Sequence, residues 1–287
     1  VRDVGKRIVI VPRREFKVPV EAEKLRPDLL GSMTMHEIEK ICVYEGNRKC
    51  RLGDLFIVRE ESTESEELTV VLKGDFSKVW RIGESMASGT LIIEGNCGNF
   101  LGYKMKGGKI LVKGNARAWT GAEMSGGTIE VYGSVGDHLG SVLRGLKRNT
   151  GMKGGTIIVH GNAGAEVGVQ LQKGLIVIHG DTDILPGLRM NGGTILIKGN
   201  CRGKAGARMT GGKIVICGNA GGILPTFYLD SIVKSVKVKK EKIEGPFYLL
   251  VGDVVESPEC RGRLYVSVNR NPELKSYEEL LKIPPEL

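Results

Sequence analysis

Hydrophobic and polar positions alternate in short bursts through the middle of this chain, and the bursts return every nineteen residues. Thr194 to Lys198 is one of them. Ile195 and Ile197 fall on one side, and Thr194, Leu196 and Lys198 on the other. Alternation of period two over five residues, bounded by glycines, predicts a short β-strand. Nothing in the repeat carries helical period. In most copies a glycine doublet precedes the burst. Its second glycine falls at Gly89, Gly108, Gly127, Gly155, Gly174, Gly193 and Gly212, with spacings of 19, 19, 28, 19, 19 and 19. The one long spacing is nineteen plus nine, so one repeat carries an inserted loop. Gly95, Gly114, Gly133, Gly161, Gly180, Gly199 and Gly218 keep the same spacings. A fixed period of this kind means one structural unit stacked many times.

A strand every nineteen residues, always in the same direction, predicts an all-β fold: a single-stranded parallel β-helix of about seven coils, each lying about 4.8 Å above the last. Glycines supply the positive-φ corners. One inward column is Leu91, Ile110, Ile129, Ile157, Ile176, Ile195 and Ile214. A second is Ile93, Val112, Val131, Val159, Ile178, Ile197 and Ile216. A third is Met86, Met105, Met124, Met152, Leu171, Met190 and Met209. The methionines read as flexible core filler rather than soft-metal ligands. Cys97 and Cys201 share a small interior position with Ala116, Ala163 and Ala220.

An outward column is unusually apolar: Ile92, Leu111, Ile158, Val177, Leu196 and Val215, interrupted by Glu130. Such a stripe is covered either by a terminal segment or by a partner. Leu111, Ile158, Val177, Leu196 and Val215 are therefore candidate interface residues. Beside them run Glu94, Lys113, Tyr132, His160, His179, Lys198 and Cys217. His160 and His179 lie on adjacent rungs. A metal site there needs a third ligand, and Cys217 is two rungs from His179, roughly 10 Å, so a plain surface pair is the better reading.

The repeats span residues 68–222, with flanks at 1–67 and 223–287. Thr34-Met35-His36-Glu37 predicts a capping box at the start of a short helix. Ile41–Tyr44 and Cys50–Val58 predict strands about a turn at Glu45-Gly46-Asn47, which makes the N-terminal flank a small α+β unit. The acidic, serine-rich stretch Glu60–Glu67 predicts a surface loop. The insertion, between Gly140 and Met152, holds Arg144, Lys147 and Arg148, a second candidate interface. Past Gly222, Ile232–Val238 reads as a strand with a lysine face, suited to a solvated edge.

The net charge is +9 with 5% aromatic residues. Positive charge gathers on the last repeats at Arg189, Arg202, Lys204 and Arg208. So few accompanying aromatics argue against nucleic acid. No apolar run reaches membrane-spanning length. Six cysteines without a CxxC pair indicate a reducing cytoplasm. There is no phosphate loop and no nucleophile elbow. Asp137, Glu166, Asp181 and Asp183 are too scattered for a polysaccharide-cleaving carboxylate pair. No catalytic, cofactor-binding or metal-binding constellation emerges, which points to a structural or interaction role.

The run Gly107-Gly108-Lys109-Ile110-Leu111-Val112-Lys113-Gly114-Asn115-Ala116 and its copies resemble the glycine-repeat domain shared by glutamate synthase and the C subunit of formylmethanofuran dehydrogenase. Leu25-Arg26-Pro27-Asp28, Gly46-Asn47, Leu52-Gly53-Asp54-Leu55-Phe56, Arg81-Ile82-Gly83-Glu84-Ser85-Met86 and Gly222-Ile223-Leu224-Pro225 look like the dehydrogenase protein. The first and last segments, Val1–Lys17 and the Ser-Tyr-Glu-Glu-Leu-Leu tail, depart from it. The resemblance implies a right-handed β-helix in a cytoplasmic oxidoreductase complex that reduces CO2 with ferredoxin-level electrons and formylates methanofuran. It places a tungsten or molybdenum pterin, iron–sulfur clusters and zinc on other subunits. Those partners would be a molybdopterin-type oxidoreductase, ferredoxin-type subunits and an amidohydrolase-type subunit. The alternatives are the C subunit of a formyltransferase/hydrolase complex and a glutamate-synthase-type module.

Overall fold

Each glycine-bounded burst of alternation forms a strand. The computed structural model describes residues 5–63, 67–143, 145, 150–257 and 259–282. Its strands are β1 (Gly5–Pro12), β2 (Val20–Glu21), β3 (Cys42–Glu45), β4 (Arg48–Arg51), β5 (Phe56–Thr63), β6 (Thr69–Lys73), β7 (Val79–Trp80), β8 (Thr90–Glu94), β9 (Lys109–Val112), β10 (Thr128–Val131), β11 (Thr156–Val159), β12 (Leu175–Ile178), β13 (Asn191–Ile197), β14 (Gly211–Ile216), β15 (Tyr228–Val238), β16 (Glu241–Gly252) and β17 (Gly262–Ser267). The α-helices are short: α1 (Pro27–Leu30), α2 (Met35–Glu39) and α3 (Leu52–Leu55). Two 3-10 segments follow β17, at Val268–Arg270 and Pro272–Lys282. The described chain is all-β in class.

A 13-stranded sheet runs in the order β15-β16-β17-β14-β13-β12-β11-β10-β9-β8-β6-β1-β5, and a 4-stranded sheet in the order β4-β3-β2-β7. The large sheet is parallel from β1 through β6 and β8–β14 to β17. It turns antiparallel at both ends, where β5 joins β1 and the β15–β16 hairpin joins β17. The inserted loop does not disturb register: Ile110 pairs with Ile129, and Ile129 with Ile157. A one-residue slip would turn both isoleucine columns outward, so burial fixes the alignment.

Two more backbone ladders run beside the strands. One is a set of single bridges joining Phe76, Cys97, Ala116, Val135, Ala163, Thr182 and Cys201 in succession. The other is made at the corners, where Gly102 N donates to Ile82 O, Gly121 N to Leu101 O and Gly140 N to Thr120 O, and so on to Gly206 N and Pro186 O. Asparagine side chains add a fourth line. Asn96 Oδ1 accepts from Asn115 N at 2.9 Å, Asn115 Oδ1 from Ser134 N at 2.8 Å, and Asn200 Oδ1 from Asn219 N at 2.9 Å. The three inward columns are wholly buried, methionines included.

Stacked repeats need closed ends. Phe16, Phe56 and Phe76 pack in series at the N-terminal end, with ring centroids 5.3 and 5.7 Å apart. At the C-terminal end Phe227 is buried, and the fully buried Asn271 accepts from Ala220 N at 2.8 Å and donates to Gly218 O at 3.1 Å.

Three features of the flanks differ from expectation. The predicted strand Cys50–Val58 is broken by α3, because Asp54 Oδ2 accepts from Arg51 N at 2.9 Å and caps a single turn. Glu60–Thr63 is strand, not loop: these residues finish β5, where Glu60 pairs with Ile8 and Glu61 with Arg7. Charges on such an edge discourage further pairing. The departing N-terminal segment supplies β1, which extends the sheet parallel to β6. The capping box forms as predicted, with Thr34 Oγ1 and Glu37 engaged reciprocally at the start of α2.

Candidate functional site

The outward apolar column is largely covered by the chain itself. The β15–β16 hairpin folds over the C-terminal half of the sheet, setting Val236, Val238 and Phe247 against Leu175, Val177, Leu196 and Val215. Val177 is 8% exposed, and Leu196 and Val215 are 0% exposed. Ile158 packs at the margin of this cluster. Lysines pin the hairpin's tip: Lys239 Nζ donates to Thr156 Oγ1 at 2.9 Å, Lys213 Nζ to Lys237 O at 2.9 Å, and Lys198 Nζ to Glu241 Oε1 at 3.2 Å. The partner-interface expectation is corrected at Val177, Leu196 and Val215, because their apolar surface is already buried within the chain. Ile92 and Leu111, farther along the column, remain half-buried. The strand expected at Ile232–Val238 lies within β15 at the sheet edge with Lys234 and Lys237 exposed, while Val236 and Val238 on its other face join the cluster.

Along the neighbouring column the rings stack. Tyr132 and His160 lie 4.7 Å apart at 11°, and His160 and His179 lie 5.0 Å apart at 36°. His160 Nε2 is 3.0 Å from Glu130 Oε1, and Lys109 Nζ is 3.7 Å from Glu130 Oε2. The acid that interrupts the apolar column thus faces two basic groups. Partial burial first, then the charges of Lys198 and His160, hold the His179 imidazole below its ordinary range. Half-buried Cys217 has its thiol raised, chiefly by burial. Among the described residues no group of three His, Cys, Asp or Glu side chains could hold a metal. Cys97 and Cys201 lie in the interior bridge column, and burial raises both thiols.

A different face carries side chains that no sequence motif marks. At one corner Arg81, Phe100, Trp119, His138, Glu166, Leu185 and Lys204 occupy equivalent positions, all with φ between 57 and 64°. Residues with a Cβ cost about 1–2 kcal/mol each in this region. Their side chains leave the corner in a row. Phe100 stacks on Trp119 at 5.2 Å, and Trp119 on His138 at 4.6 Å. His138 is 8% exposed, and its Nδ1 lies 3.1 Å from Glu166 Oε2. The nineteen-residue spacing of Phe100, Trp119 and His138 was the available signal, hidden because each repeat has a different residue type there.

Four residues on, a second corner row holds Ser85, Lys104, Glu123, Gln170, Arg189 and Arg208, with φ between 55 and 58°. The inserted loop leaves from this row. A groove of about 510 Å³ lies beside it. Arg144, Lys147 and Arg148, the expected interface residues of the loop, lie outside the described residues. The repeat glycines Gly89, Gly108, Gly127, Gly155, Gly174, Gly193 and Gly212 all have positive φ. None of the described helices is long and apolar enough to cross a membrane.

Known proteins share this repeat. The chain is 43% identical over 94 residues to the C subunit of molybdenum-containing formylmethanofuran dehydrogenase 1 of Methanothermobacter marburgensis, a match covering 33% of this chain and 23% of that protein. It is 39% identical over 96 residues to the C subunit of tungsten-containing formylmethanofuran dehydrogenase 2 of Methanothermobacter wolfeii, covering 33% of this chain and 36% of the relative. The matched stretch therefore spans only about a quarter to a third of these relatives. In fold, the chain is similar to a chain of the formyltransferase/hydrolase complex (FhcABCD) from Methylorubrum extorquens, crystallised with methylofuran. The TM-score is 0.77 at 24% identity, covering 90% of this chain and 99% of that one. The model of the GXGXG motif matches residues 67–257, more than half of the sequence, and the chain belongs to that family.

Proposed function

We propose that this chain is the C subunit of a formylmethanofuran dehydrogenase complex and serves there as a structural assembly element rather than a catalyst. The observation that carries this reading is the identity to the C subunits of both molybdenum and tungsten enzymes. Three parallel ladders offset by one repeat support winding of residues 68–222 as a parallel β-helix. The flanks, 1–67 and 223–287, supply the groups that close its ends, Phe16 and Phe56 at one and Phe227 and Asn271 at the other. A rigid stack whose inward positions are all apolar or small suits a scaffold.

The complex would reduce CO2 and form formylmethanofuran in the cytoplasm. Its tungsten or molybdenum pterin, iron–sulfur clusters and zinc belong on a molybdopterin-type oxidoreductase, ferredoxin-type subunits and an amidohydrolase-type subunit. The donor set of this chain supports that division, since its cysteines are dispersed and two of them sit in the core. Anaerobic affinity purification from the native host, with mass spectrometry and metal analysis, tests the reading. Recovery of a molybdopterin-type oxidoreductase with tungsten or molybdenum is expected. Recovery of a formyltransferase and an amidohydrolase without either metal would assign the chain to the hydrolytic complex. Co-purifying flavin would assign it to a glutamate-synthase-type module.

A further inference from the structure

A concavity lies on the corner face at the point where the repeat is interrupted. Val142, Leu143, Val169 and Leu188 line the groove, with Arg189 and Arg208 beside them. The two arginines occupy equivalent positions in successive repeats, so their backbones stand about 4.8 Å apart. Arg189 makes no ion pair among the described residues, while Arg208 Nε meets Glu256 Oε2 at 3.0 Å. The acid on the near wall, Glu166, is turned to His138 at 3.1 Å. Exposed Lys204 stands on the neighbouring corner. An apolar groove with cations beside it selects a segment that is both apolar and acidic.

We infer that this groove docks an extended, acidic and partly apolar segment of a partner protein, with carboxylates on Arg189 and Arg208 and apolar side chains against Leu188 and Val142. The inference rests on the assembly role proposed above and adds the surface and the chemistry of what it holds. Alternate side chains of an extended strand recur about every 6.7 Å, within reach of two flexible arginines one repeat apart. Arginine forks bind carboxylates bidentately, which fixes register as well as charge.

The test uses the whole complex co-expressed with tagged chain. R189E/R208E is compared with K234E/K237E, which makes the same charge change on the exposed face of the hairpin. Partner recovery should fall at least about tenfold for the groove variant and stay within about twofold for the hairpin variant. A photo-cross-linker placed at Leu188 of the otherwise unaltered chain should capture an acidic segment of one partner, and reversing that segment's carboxylates to lysine should restore the groove variant. A cross-link to no partner, or equal recovery with R189E/R208E, overturns the docking while leaving the assembly role intact. Failure of the unaltered chain to recover any partner overturns the assembly role itself. If R189E/R208E loses its β circular-dichroism signal, R189Q with the Leu188 cross-link decides the matter.

Discussion

The methyl of Met105 lies so close to Gly127 of the next repeat that a Cβ built on Gly127 would stand 2.7 Å from Met105 Cε. The relationship recurs between Met86 and Gly108, Met124 and Gly155, Met152 and Gly174, and Met190 and Gly212. The methionine column and the glycine column are therefore one packing device. Each of these five methionines packs its methyl against the bare Cα of a glycine one repeat on.

Gly127→Ala should destabilise the fold by about 3 kcal/mol, combining a non-glycine residue at positive φ with overpacking. Met105→Ala should cost about 2–5 kcal/mol as a cavity. The double variant should be more stable than the sum predicts by about 0.5–1 kcal/mol, because the smaller side chain relieves the Met105 contact while Gly108 O, 2.8 Å from the same Cβ, still opposes it. Urea unfolding of the four proteins measures the coupling; strict additivity would refute the lock.

The outward column gives a second prediction. Leu196→Asp places an unpaired charge under the β15–β16 hairpin, and should cost at least about 3 kcal/mol and expose the hairpin to proteolysis. An open partner surface would tolerate this change in the isolated chain with no loss of thermal stability. Protease mapping of residues 228–252 alongside a thermal melt separates the two cases.

The repeat and its flanks were legible in the sequence to different degrees. Period and alternation set the strands, the three inward columns and the register, because burial of isoleucine and methionine every nineteenth residue leaves no other alignment. The same spacing exposed the apolar outward column and its two possible coverings. It could not choose between them: Val236 and Val238 join the cluster of Val177 and Leu196 through a long-range return of the chain. The corner row Phe100–Trp119–His138–Glu166 was missed because position, not residue type, is what repeats there. β1 was missed because its short apolar run Ile8–Val11 lacks the repeat's alternation, stands far from the repeats in sequence and meets them only through β6.

Asn271 caps the open backbone groups of the last repeat while fully buried, so Asn271→Ala should cost about 2–3 kcal/mol by leaving Ala220 N and Gly218 O unmet. Asn115→Ala, in the solvent-facing middle of the ladder, should cost about 1 kcal/mol. Chemical denaturation of both ranks them; the reverse order would contradict the capping role of Asn271.

His179 supplies a pH dependence. Its imidazole is held below 6.5 in the folded chain, first by burial and then by Lys198 and His160. The folded state therefore binds the proton less well than the unfolded one. Its contribution to stability is complete above pH 6.5 and is lost as pH falls through the lowered folded value. His179→Gln should flatten stability in that window, and nuclear magnetic resonance titration should find His179 protonating below its ordinary range. An ordinary or raised value would contradict the geometry.

An assembly element that does no chemistry should tolerate loss of its histidines. Formylmethanofuran formation per mole of intact complex, measured for H138A, H160A and H179A, tests this most directly. Turnover within about twofold of the unaltered complex is expected for each. A hundredfold loss in any variant that still assembles would contradict the assembly role and put a catalytic residue on this chain.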